Sequence, residues 1–327
     1  MDEVVVGIDI GGTVTKFGLV TKTGKVVLLD RMPTTGFDGF NDYFKTLVHK
    51  ISVMTGKMSD RVTGIGIGAP MGNFLEGSID MATNLGWGKK IMVARTFSEF
   101  FNKPAFLTND ATAAAIGEKT GGVAKNMDDF LVITLGTGLG CGIYVNGTVL
   151  HGKHGYAGEL GHVIVDPKGR KCNCGRRGCL ETYVSASGIM KSVRAFKNKK
   201  LFEGSVLHDR TAYPDSKAVA RAAAAGDPLA EYVFEFTGKV LADALANIIA
   251  MFNPEAIILS GGLANAGNLL IDPLEQFLNQ KVLTNLCGKT KIHISKLDSE
   301  KIAVLGAASY AWQMINDHSH SNSLMVC

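Results

Sequence analysis

The stretch Glu159-Leu-Gly-His162, followed by Cys172-Asn-Cys174-Gly-Arg-Arg-Gly-Cys179-Leu-Glu181, offers one imidazole and three thiols in a single short segment. Cys₃His is a standard closed, tetrahedral set for structural zinc. Gly175 and Gly178 would let the backbone fold the three sulfurs back onto one ion. Glu159 and Glu181 bracket the set without being needed as ligands. A carboxylate held beside a rigid metal knuckle is well placed to accept hydrogen bonds from a polar small molecule. The plainer reading is a metal that staples a long loop and two solvated carboxylates.

Glycine and threonine turns are the second group of candidates. Gly11-Gly12-Thr13 and Gly136-Thr137-Gly138 would each aim several backbone N–H groups and a hydroxyl at one point, which suits phosphate oxygens. Ser260-Gly261-Gly262, after an apolar run, is a third place where a flat ring could slide against backbone. Gly136-Thr-Gly138-Leu-Gly140 is not a dinucleotide fingerprint, because a strand with an Asn-Gly turn follows it instead of a helix. A Walker-type Gly-Lys-Ser/Thr ending is absent as well. Asp9, beside the first turn, is a candidate for holding Mg²⁺ through its waters. Asn109-Asp110 closes the apolar run Ala105 to Leu107 and opens an alanine-rich helix, so Asp110 would project from a strand end as the candidate for catalysis. Its plainer role is an N-cap.

The elements that would position these groups show a repeat. Strands are expected over Val4 to Ile10, Lys16 to Val20 and Lys25 to Leu29, and again over Phe130 to Leu135, Gly140 to Val145 and Thr148 to Leu150. Asn146-Gly147 reads as a hairpin turn. Such duplication predicts two lobes with the same antiparallel start. Further strands are expected over Gly64 to Ile67, Pro104 to Leu107 and Ala256 to Leu259. Helices are expected over Phe37 to Thr55, after Asp110, and over Asp215 to Ala225, Pro228 to Phe252 and Ala303 to Ile315. His318 to Cys327 is polar and aperiodic and reads as a frayed, flexible tail.

Bulk properties set outer limits. At 327 residues the chain is long enough for about two domains. Its 34 basic and 30 acidic side chains leave a net charge of +4, too small to imply a nucleic-acid or membrane partner. No apolar run reaches the roughly 18 to 20 residues of a membrane span, and the start Met1-Asp-Glu-Val does not read as a signal peptide. Cys141, Cys287 and Cys327 are scattered, unlike a secreted disulfide framework, so the expected compartment is the cytoplasm.

Asp9-Ile-Gly-Gly-Thr13, Gly68-Ala-Pro70, Asn84-Leu-Gly-Trp87, Asn109-Asp110, Leu135-Gly-Thr-Gly138, the Cys/His segment and Ser260-Gly-Gly262 resemble, in this order, the motifs of the ROK family of sugar kinases and repressors. The likeness spans the whole chain and is strongest to the zinc-containing bacterial glucokinases. It implies an α/β fold, the actin-like ATPase fold, with two ribonuclease-H-like lobes and an active site in the cleft between them. The implied lobes are a small one of residues 1–112 plus 301–317 and a large one of 113–300, with a zinc-binding loop 159–181 and a tail from 318. It implies ATP, Mg²⁺ and structural Zn²⁺, and a homodimer or homotetramer. Asp110 would be the general base. Asn84, Asn109, Asp110, Glu159, His162 and Glu181 would contact a sugar, and His162 would also bind zinc with Cys172, Cys174 and Cys179. Asp9, Gly11, Gly12, Thr13, Thr137, Gly138, Gly261 and Gly262 would surround ATP. The resemblance implies phosphorylation of glucose, with another hexose or an N-acylhexosamine (N-acetylmannosamine, N-acetylglucosamine, fructose) as the alternative acceptor. Family repressors carry a DNA-binding segment before the first glycine turn, whereas Asp9 lies near the amino terminus here, which argues for an enzyme.

Overall fold

The computed structural model describes residues 2–323 except 81–84, 210, 212 and 299. The chain opens with a meander of Val4–Ile10 (β1), Val14–Thr21 (β2) and Val26–Pro33 (β3). Gly39–Thr55 (α1) then returns the chain to Val62–Ala69 (β4), which lies parallel to β1. Gly72–Asn73 (β5), Ser78–Asp80 (β6) and Lys90–Ile91 (β7) form a small antiparallel sheet. Val93–Phe101 (α2), Ala105–Asn109 (β8) and Asp110–Gly121 (α3) follow. Phe130–Leu135 (β9), Leu139–Val145 (β10) and Thr148–Val149 (β11) start the second sheet. The remainder is Ala186–Phe196 (α4), Ser216–Ala224 (α5), Pro228–Phe252 (α6), Ala256–Ser260 (β12), Asn268–Lys281 (α7), Lys291–Ile294 (β13) and Ile302–Ser323 (α8).

The strand orders are β3-β2-β1-β4-β8 and β11-β10-β9-β12-β13. Counted within each sheet, both read 3-2-1-4-5, so the duplication expected from the glycine turns is a duplication of topology. Both sheets are mixed, with the later strands parallel to the first. Asn146 and Gly147 turn the β10–β11 hairpin with positive φ of 51° and 72°, the geometry that Asn-Gly tolerates best.

The chain packs as two compact units, Met1–Asn126 with Gly142–Gly158 and Lys296–Cys327, and Met127–Cys141 with Glu159–Ser295. In the first, every residue of β1 is buried, as expected of a central strand covered on both faces. Ile8, Ile10, Phe17 and Leu19 pack under Tyr43, Leu47 and Ile51 of α1. On the other face, Val5 and Val20 pack with Val304, Ala308 and Trp312 of α8. Gly306 lets α8 cross α3 closely, since a Cβ there would stand 1.6 Å from the Ala113 carbonyl oxygen. In the second unit, α6 packs on α7 with a buried row of Val233, Thr237, Leu241 and Leu245.

Several elements went unread in the sequence. α2, α4, α7, β13 and the small sheet carry weak or masked signals. In α7 the buried Leu270, Leu274 and Leu278 keep helical spacing, but Pro273 inside the helix hides it. α8 runs on to Ser323, into the stretch read as a frayed tail, and nothing from His318 to Ser323 is a glycine or proline that would end it. No described helix is long and apolar enough to cross a membrane.

Candidate functional site

The first unit gathers carboxylates at the carboxyl ends of parallel strands, where ligands of open α/β sheets bind. Asp9, next to last in β1, pairs with Gly68 of β4, and Ala69 of β4 pairs with Asn109 of β8. Asp9 is only 8% exposed. Burial, partly offset by Lys16 and reinforced by the nearby Asp110, pushes its carboxyl up to about 6. Lys16, missed in the sequence, faces Asp9 across the β1–β2 ladder with its Nζ 3.7 Å from Asp9 Oδ2. The register explains why: antiparallel pairing puts the two residues opposite each other, so their side chains share a face.

Asp110 proves not to be the helix cap. Asn109 is the N-cap, its Oδ1 accepting the Ala111 N–H at 2.9 Å, while Asp110 stands inside the first turn of α3. Asp110 Oδ1 also accepts the Ala111 N–H, at 2.8 Å. Among the described residues no side chain donates to Asp110. Burial raises its proton affinity, against the lowering effect of backbone N–H groups. The Gly11-Gly12-Thr13 turn sits between β1 and β2. The Gly11 N–H is already spent on Val14 O at 3.2 Å, leaving Gly12 and Thr13 as the turn's candidates for an anion. Thr34 N–H holds Thr13 O at 2.8 Å. Asn84 lies outside the described residues.

The second unit holds the Cys/His set. Ligand atoms of His162, Cys172, Cys174 and Cys179 all lie within 4.8 Å of one another. Cys174 Sγ is 3.6 Å from Cys179 Sγ, and Cys172 Sγ is 3.8 Å from His162 Nδ1. A tetrahedron of ~2.3 Å zinc–sulfur bonds has edges of about 3.8 Å, so the chemistry and spacing of the four groups suit a zinc ion. Gly175 and Gly178 adopt φ of 88° and 74°, the backbone turn the knuckle requires. Burial raises Cys172 to about 12, whereas at Cys174 the Arg176 backbone N–H and guanidinium outweigh burial and bring the thiol down to about 6.

Both bracketing carboxylates touch this knuckle. His162 presents Nδ1 to the sulfurs and Nε2 to Glu159, whose Oε2 is 3.9 Å away. Glu181 rides a 3₁₀ turn, Leu180–Thr182, directly after Cys179. As a thiol Cys172 donates to Glu181 Oε1 at 3.3 Å; as a metal-bound thiolate it would have no proton to give. A side chain at Gly138 would come within 2.7 Å of Glu181 Oε2, so the glycine turn and this carboxylate are in direct contact. The Ser185 hydroxyl donates to Glu181 O at 2.7 Å, and Ala186 N–H donates to Gly136 O at 2.9 Å. Gly136 N–H closes on Gly138 O at 3.0 Å, while Thr137 is exposed at the tip of the turn. Gly261, with φ of 91°, brings the end of β12 against Leu135 of β9, and Gly262 beside it is exposed.

Residues 5–314 match the profile of the ROK family. The chain belongs to the ROK family. It is 34% identical to a glucokinase of Halalkalibacterium halodurans, over 98% of both chains. It is 29% identical to the xylose repressor of Bacillus subtilis, over 93% of this chain and 76% of the repressor. Among solved structures, a ROK family glucokinase from Streptomyces griseus, in complex with glucose and AMPPNP, superposes with a TM-score of 0.77 at 28% identity, covering 95% of this chain and 99% of that one. The chain thus has the two-lobed, actin-like α/β fold of ROK kinases, with its two mixed five-stranded sheets.

Proposed function

We propose that this ROK protein is an ATP-dependent glucokinase that transfers the γ-phosphoryl group to the 6-hydroxyl of glucose. The observation that carries the reading is Asp110, a desolvated carboxyl at a strand end that is not the N-cap of its helix and that, among the described residues, no other side chain holds. The identity to named glucokinases supports glucose as the acceptor.

Asp110 would accept the proton of the attacking hydroxyl. Because phosphoryl transfer passes through a loose transition state, that proton need not leave early, and an aspartate in good position suffices. Asn109, Glu159, His162, Glu181 and Asn84 would pair with the sugar's hydroxyls. The N–H groups of Gly12 and Thr13 in the turn that Gly11 opens, the Thr13 and Thr137 hydroxyls and the Thr137-Gly138 turn would take the phosphates, with Gly261 and Gly262 against the nucleoside. Asp9 would hold Mg²⁺, which would supply positive charge to offset that of the phosphate oxygens. Zn²⁺ on His162, Cys172, Cys174 and Cys179 would stiffen the segment that carries Glu181.

Lys16 adds the positive charge that a phosphate would meet beside Asp9. Lys16→Met is expected to raise KM for MgATP by about tenfold, the scale of one charge-assisted hydrogen bond, and to leave KM for the sugar within about twofold. Steady-state kinetics with each substrate varied in turn would check this; an unchanged KM for MgATP would remove Lys16 from the phosphate site.

Substrate choice is tested with a panel of glucose, fructose, N-acetylmannosamine and N-acetylglucosamine in a coupled ADP-release assay. A site built to bond a hydroxyl rejects an analogue that leaves its groups unpaired, so kcat/KM for glucose should exceed the others by at least about tenfold. Equal turnover of an N-acetylated sugar would reassign the acceptor. No turnover with any sugar, together with a gel shift on DNA, would instead favour the regulatory role that the repressor's similarity leaves open.

A further inference from the structure

Arg170 is a half-buried cation in the second unit with no carboxylate in ion-pairing range among the described residues. Withdrawing a guanidinium from water without a countercharge is costly unless every donor finds a strong acceptor. Arg170 Nη1 donates to Thr182 O at 2.7 Å and to Gly188 O at 3.2 Å, and Nη2 donates to Ser192 Oγ at 2.9 Å. Its guanidinium carbon lies 4.4 Å from the centre of the Tyr183 ring. The Tyr183 hydroxyl accepts the Arg170 backbone N–H at 3.1 Å and donates to Asp166 Oδ2 at 3.2 Å.

The acceptors define what this cation does. Thr182 follows Glu181 directly, and Gly188 and Ser192 lie on α4, so Arg170 ties the turn carrying Glu181 to a helix. The metal set grips the same turn from its other side, through Cys179. None of the Arg170 partners is a metal ligand, so this grip does not pass through the metal.

We propose that Arg170 is a positioning residue for Glu181, a second clamp on the sugar-binding turn that works without zinc. The inference rests on the reading of Glu181 as a sugar contact. Two clamps on one short turn are partly redundant: with one gone Glu181 is held more loosely, and with both gone it is not held.

The test is a two-by-two comparison of wild type and Arg170→Met, each zinc-loaded and chelator-stripped, with glucose binding measured by calorimetry and zinc by elemental analysis. Arg170→Met should keep one zinc per chain and weaken glucose binding by about tenfold, with kcat and KM for MgATP within about threefold. Stripping wild type should cost about tenfold as well, and losing both should exceed about a thousandfold, more than the product of the single losses. Arg170→Lys keeps the charge and stem but lacks the fork that spans three acceptors, so it should fall between wild type and Arg170→Met and supplies the test if the latter does not fold. Glucose affinity unchanged in Arg170→Met, or lost only in step with zinc, would overturn the clamp. A wild type that binds no sugar at all would overturn the proposed function instead.

Discussion

Asp110→Asn is expected to lower kcat by roughly 10² to 10⁴, about 2.7 to 5.4 kcal/mol of transition-state stabilisation, with little change in thermal unfolding. The amide keeps the shape and the acceptor toward Ala111 N–H but cannot take a proton. Stability should hold because the cap of α3 belongs to Asn109, and a cap is worth only about 1 kcal/mol even when lost. Asn109→Ala provides the converse: it should lower the melting temperature by losing the cap. Single-turnover kinetics with ATP and glucose, beside calorimetric unfolding, would read both effects. A mutant with near-normal kcat would leave Asp110 a merely structural residue of the first helical turn.

Cys179→Ser should release the metal and weaken glucose binding by about 10- to 100-fold. Wild type should carry one zinc per chain. Cys179 is fully buried and its carbonyl accepts the Thr182 hydroxyl at 2.7 Å, so it joins the knuckle directly to the turn of Glu181. Serine neither ionises readily nor suits zinc as thiolate does. KM for MgATP should change less than KM for glucose, since the ligand set neighbours Glu159 and Glu181. Stoichiometric zinc in a folded Cys179→Ser protein would reject the ligand set. Zinc loss with unchanged glucose affinity would reduce the metal to a staple remote from the sugar.

What the sequence determined by itself is what short-range spacing controls. The knuckle is legible because its ligands lie in one segment with glycines where positive φ is needed, and the fold brings those four groups together. The glycine turns and the strands around them are legible because alternation and turn chemistry are local, and both sheets do open with the repeated start that was expected. The family was legible from the succession of motifs along nearly the whole chain.

Tertiary structure alone decided which neighbour does which work. Asn109 and Asp110 are equally good caps on paper; only the strand exit of β8 sets Asn109 at the N-cap and frees Asp110. Lys16 reads as one polar residue in a strand until the register of β1 and β2 lays it against Asp9. Arg170 reads as a surface charge in a basic knuckle until the Leu180–Thr182 turn and α4 pack against it and each offers a carbonyl. β13 is too short and too polar to declare itself, and is a strand only because β12 supplies its hydrogen-bond partners. Local pattern encodes conformation, whereas partnership between residues distant in the chain exists only once the core has fixed their separation.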